Sequence, residues 1–141
     1  MLFNYPQFRD NEVRQEIMGI KPIIWIGSSK SNLRSLPEVV QDEFGFALYE
    51  AQKGGKSDKA KPFKGFGNAS VMEIVEKSLG EAYRAVYTVK FEKVIAVLHV
   101  FHKKSKSGIE TPKTDVDLIK SRFKQAEEDY KEWLRLIRRK S

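Results

Sequence analysis

Two apolar runs, Tyr83–Phe91 and Val94–His102, stand with only Glu92-Lys93 between them, and this pair constrains the fold more than any other feature of the chain. Both runs are rich in β-branched and aromatic residues, and so short a separation predicts an antiparallel hairpin. Pairing Phe91 with Val94 across the turn sorts the side chains by alternation. Arg84, Val86 and Thr88 then share one face with Phe101, His99 and Val97, while Tyr83, Ala85 and Tyr87 share the other with His102, Val100 and Leu98. Arg84 and His99 become diagonal neighbours, close enough for a guanidinium and an imidazole to meet one phosphodiester.

Other elements follow from spacing. Lys21-Pro22-Ile23-Ile24-Trp25-Ile26-Gly27 reads as a strand entered through a proline, and Val71–Glu76 as another strand. Leu33, Leu36, Val40, Phe44, Ala47, Leu48 and Ala51 recur at three- and four-residue steps, predicting one helical stripe that ends near Gly54-Gly55. Val116, Ile119, Phe123, Ala126, Tyr130, Trp133 and Ile137 repeat likewise along a run without Gly or Pro, predicting a long C-terminal helix. Asp10–Met18 is a candidate short helix ending at Gly19. The order of strand, helix, antiparallel strands and helix predicts a two-layer α+β domain, and 141 residues with 40% hydrophobic content suit a single core. Residues 1–20 read as an N-terminal extension.

The absence of cysteine excludes disulfides and thiolate metal sites and fits a reducing cytoplasm. The N-terminus shows no basic stretch followed by an apolar run, and Val94–Phe101 is too short to span a bilayer, so neither secretion nor membrane insertion is expected. The net charge of +7 is unevenly placed: residues 1–83 hold 11 Lys+Arg against 11 Asp+Glu, and residues 84–141 hold 15 against 8. A concentrated positive surface attracts polyanions through counterion release, although a solvated basic helix is the plainer account of such a run. Lys53, Lys56, Lys59, Lys61 and Lys64 face a single acid, Asp58, in what reads as a mobile basic loop. Lys103-Lys104-Ser105-Lys106-Ser107-Gly108, at the exit of the second apolar run, is the best phosphate-binding candidate, the alternative being an ordinary solvated turn. His99 reads first as a hydrogen-bonded core histidine, whereas His102 at the strand exit is the more accessible and could move a proton near neutrality.

Tyr83-Arg84-Ala85-Val86-Tyr87, the segment Glu92–Lys104 and Thr111-Pro112-Lys113 together resemble the phage-derived, RelE/HigB-like branch of type II toxin–antitoxin toxins. Lys61-Pro62-Phe63-Lys64-Gly65 is similar to the lysine-rich stretch that precedes the sheet in that branch, and the likeness runs over roughly residues 21–130. The resemblance implies a small twisted antiparallel sheet packed by helices and ribosome-dependent mRNA cleavage, in which the ribose 2′-oxygen attacks its own phosphate. It assigns charge stabilisation to Arg84 and Lys104 and proton transfer to His102 or His99. Lys61, Lys64, Lys103 and Lys106 would hold the RNA backbone; Lys120 and Arg122, near the start of the C-terminal helix, could face it too, a solvated helix face being the plainer account. The strand Val71–Glu76 departs from the pattern, carrying carboxylates where the best-known members carry lysines.

The resemblance also implies a cognate antitoxin, often of helix-turn-helix type, beside the ribosome and mRNA as partners. Two other functions share the fold class: a ParE-type toxin that binds gyrase, and a non-catalytic phage-derived module that binds nucleic acid or protein. No cofactor is expected. Nor is a metal site, because His99 and His102 point to opposite faces of a strand and no acidic triad accompanies them.

Overall fold

The computed structural model describes residues 19–67, 70–103 and 111–140. Five strands and three helices follow in the order β1 (Ile23–Trp25), α1 (Ser29–Arg34), α2 (Glu38–Gln52), β2 (Ala60–Pro62), β3 (Val71–Ser78), β4 (Glu81–Thr88), β5 (Ile95–Lys103) and α3 (Lys113–Lys140). They build an α+β fold around one sheet of order β1-β5-β4-β3-β2. Neighbours pair antiparallel except β1, which lies parallel to β5 with Ile23 opposite Ile95. The candidate helix Asp10–Met18 lies outside the described residues.

Helices cover both faces of the sheet, one layer more than the sequence reading placed. On one face Val40, Phe44, Ala47, Leu48 and Ala51 of α2 pack with Leu33 against Ile74, Ala85, Tyr87, Val97 and Val100. On the other, Ile119, Phe123, Ala126 and Trp133 of α3 pack against Ile24, Val86, Ala96 and Leu98. A strand that is apolar at nearly every position, as β5 is, requires cover on both sides.

Three expectations are corrected. The stripe from Leu33 to Ala51 is two helices, because Pro37 disfavours the helical region for Leu36 and becomes the cap of α2 at φ −54°, ψ 143°. Gln41 donates to the carbonyls of Leu36 (2.8 Å) and Arg34 (3.1 Å), satisfying the groups that the break exposes. Within the supposed basic loop, β2 pairs with β3, and Lys59 Nζ bridges Glu43 (3.0 Å) and Glu76 (2.6 Å). Finally, β4 ends at Thr88 rather than Phe91. Residues 89–94 leave the ladder so that Phe91 and Val94 can be buried against α3, with Phe91 4.8 Å from the Tyr130 ring. The tight hairpin lies instead between β3 and β4, where Leu79 (φ 52°) and Gly80 (φ 80°) make a two-residue turn.

The β4–β5 register matches the expected one from Ala82↔Lys103 to Val86↔His99, then shifts by one residue at a β-bulge. Leu98 and His99 therefore both face α3, and Val97 passes to the α2 side, the reverse of simple alternation.

Candidate functional site

The face of the sheet toward α3 gathers polar side chains where α3 begins. Arg84 on β4 is buried, and its Nη1 donates to Glu73 Oε2 on β3 (2.6 Å) and to Thr111 Oγ1 just before α3 (2.9 Å). Both partners of this ion pair are sealed from solvent, so each charge answers the desolvation of the other. The Glu73 carboxylate is thereby neutralised from within the sheet, while Glu76 engages Lys59.

His99 is also buried, and its Nε2 lies 2.8 Å from Asp115 Oδ1 in the first turn of α3. Its ring stacks on Phe101 at 4.4 Å between centroids. Arg122 Nη1 donates to the Leu98 carbonyl (2.9 Å) at the bulge and sits 3.4 Å from His99 Nδ1, while Nη2 donates to Ser28 Oγ (3.1 Å). A guanidinium only donates, so the tautomer with its proton on Nε2 satisfies both ring nitrogens. Burial holds His99 below the ordinary imidazole value; Asp115 opposes that pull and the charge of Arg122 adds to it. Gly27 makes room for this arrangement, since a Cβ there would fall 2.8 Å from the Arg122 guanidinium and φ is +56°.

His102 lies on the opposite face. Its Nε2 meets Glu81 Oε2 at 2.6 Å, and its ring is stacked with that of Tyr83 at 4.9 Å. It is partly exposed, so it is a histidine oriented by a carboxylate and open to solvent. Arg84 and His99 share a face and are diagonal, as the sequence predicted, but each is engaged with its own acid.

Lys61, Lys64 and Lys120 are exposed, with Lys61 in register opposite Glu73. The turn that carries Lys64 packs on α3, since a Cβ at Gly65 would meet Val116 at 3.2 Å and Phe66 lies 4.8 Å from Phe123. Arg122 is committed to the protein's own backbone and hydroxyl groups. Lys103 belongs to β5 and pairs with Ala82; Lys104 and Lys106 lie outside the described residues. Among the described residues no group of three or more His, Asp or Glu is placed to hold a metal ion, and no helix is long and apolar enough to cross a membrane.

The residues that sequence reasoning missed are the acids: Glu73, Glu81 and Asp115, with Thr111. Only Glu73 left a signal, for in register with Val86 it must share the face of Arg84. The pairing of His99 with Asp115 depends on how α3 lies across the sheet, which no local pattern encodes.

The family described as phage derived protein Gp49-like matches residues 31–124, a span from α1 through the sheet into α3. No curated protein matches the sequence. A solved structure of a mutant of the E. coli toxin RelE in the free state superposes with a TM-score of 0.49 at 20% identity, covering 75% of this chain and 97% of that one.

Proposed function

Because the chain belongs to the phage-derived Gp49-like family, a family of RelE-like toxins, we propose that it is the toxin of a type II toxin–antitoxin pair acting as a ribosome-dependent mRNA interferase in the cytoplasm. The observation that carries the catalytic part is His102, held through Nε2 by Glu81 and laid on Tyr83 at the solvent-facing end of β5. In this reading His102 Nδ1 takes the proton of the ribose 2′-hydroxyl as the 2′-oxygen bonds to phosphorus. The bond to the 5′-oxygen breaks, leaving a cyclic phosphate, and the departing oxygen takes a proton from water. Lys104, two residues further along the chain, neutralises the charge growing on the phosphoryl oxygens, supported by Lys103 and Lys106. Lys61, Lys64 and Lys120, on the α3 face and thus across the sheet from His102, hold the RNA backbone away from the cleaved bond. His99 serves instead as a strut for α3, because both of its nitrogens are engaged and the ring is buried. Arg84 positions β3 and β4 rather than meeting the phosphate.

The sealed Arg84–Glu73 pair favours a second reading, a non-catalytic module that binds nucleic acid or a protein partner, since it occupies the arginine that the family resemblance assigns to the phosphate. Expression of the chain in a bacterial host beside His102→Gln and Lys104→Ala separates these readings, with growth followed and transcript 5′ ends mapped. Arrest with cleavage of translated mRNA, lost in both variants, is the expected result. Arrest with intact transcripts points to gyrase, and absence of arrest supports the binding module.

A further inference from the structure

Helix α2 contains four acids, Glu38, Asp42, Glu43 and Glu50, and neither Lys nor Arg, inside a chain of net charge +7. Its buried stripe is fully occupied by the core, yet its outward side carries Val39 and Phe46, 57% and 64% exposed. Seven residues make nearly two turns, so both lie on one face, with the exposed Asp42 between them. Beside Phe46, residues 56–59 rise to enclose a cavity of about 380 Å³ lined by Glu43, Phe46, Glu50, Lys56, Asp58 and Lys59. Of the cations there Lys59 is matched with Glu43, and the nearby Lys53 with Glu50, while Lys56 stands beside Asp58 in the lining. The strip lies on the opposite side of the sheet from α3.

We propose that the outward strip of α2, from Val39 to Phe46 with the adjoining cavity, docks an amphipathic cationic helix of a protein partner. Charge complementarity selects that occupant. Nucleic acid is repelled by Glu38 and Asp42, the acids of α2 that no lysine among the described residues engages, and a cationic segment is repelled by residues 84–141, with 15 basic residues against 8 acids, but not by α2. Apolar groups two turns apart match the anchors of a helix lying along the strip, and an exposed Phe beside a cavity is the kind of group on which binding energy concentrates. The inference needs no assumption about RNA cleavage.

The test uses the full chain and a fluorescein-labelled peptide of Leu and Lys patterned as an amphipathic helix, with a scrambled peptide of identical composition. Anisotropy should show the patterned peptide binding at least about tenfold more tightly than the scrambled one, and Phe46→Ser and Asp42→Lys should each weaken it about tenfold. Both residues are exposed, so the variants should melt with the wild type. Failure of the patterned peptide to bind, or binding indifferent to both substitutions, overturns the proposal. So does sedimentation showing a dimer that Phe46→Ser dissociates, since the occupant would then be a second copy of the chain.

Discussion

Leu79 adopts φ +52° while 98% exposed, so it contributes no burial and holds a backbone conformation that a bulky L residue rarely visits. Asn tolerates that conformation and is the preferred first residue of such a turn. Leu79→Asn should therefore stabilise the fold by about 1 kcal/mol, read as a higher urea midpoint at unchanged slope. Arg84 runs the other way. Arg84→Met strands the Glu73 carboxylate in the sheet and should cost about 3–5 kcal/mol, whereas Arg84→Met with Glu73→Leu should regain most of that loss. Denaturation of the three variants gives the coupling directly. It also decides how a loss of toxicity on mutating Arg84 is to be read: if the double variant folds well and remains toxic, the guanidinium takes no part in chemistry.

At the scale of elements, β5 outruns its neighbour β1, and side chains complete the exposed stretch. Ser29 Oγ adds a second bond (3.2 Å) to the Val97 carbonyl, which already accepts from Ile26 N–H, and beyond it Arg122 donates to the Leu98 carbonyl (2.9 Å) and Asn32 Nδ2 to that of Val100 (3.2 Å). Gly27→Ala forces a Cβ against the Arg122 guanidinium at positive φ, and should destabilise by more than about 1 kcal/mol, measured by thermal melting. The contact of His99 with Asp115 joins α3 to the same strand. Since the folded-state value of His99 lies below its unfolded one, the unfolded chain takes up the proton first as pH falls below about 6.5. The stability contributed by neutral His99 is thus present above that pH and lost as pH falls through the lowered folded value. Melting temperature should decline over this window in the wild type and decline less in His99→Gln.

Across the whole molecule the sheet separates two electrostatic environments. The side built by α3 and the turn after β2 carries the exposed Lys61, Lys64 and Lys120, while α2 on the far side carries only acids among its charged residues. RNA whose scissile bond lies at His102, on the other face, should therefore have its flanking segment held on the α3 side, with an affinity that falls as salt rises. Removing one contacting lysine, as in Lys61→Ala or Lys120→Ala, should reduce the slope of log affinity against log salt by about 0.7. An unchanged slope in both variants would place the RNA elsewhere.

What the sequence determined by itself was the set of elements and their approximate faces. The apolar run of β5, the stripe of α3 and the parity that puts Arg84 with His99 on one side are local periodicities, and local patterns survive folding. Pro37 was equally visible and breaks the helix as its backbone geometry demands. Tertiary structure alone decided the rest, because these choices balance competing burials over long chain separations. Phe91 leaves the ladder to reach Tyr130, the bulge at Leu98 is held by Arg122, and Arg84 and His99 find Glu73 and Asp115. Except for Arg84 with Glu73, which the β3–β4 hairpin brings together, each of these contacts joins elements that meet only once α3 lies across the sheet, where the cost of burying a charge or a carbonyl selects its partner.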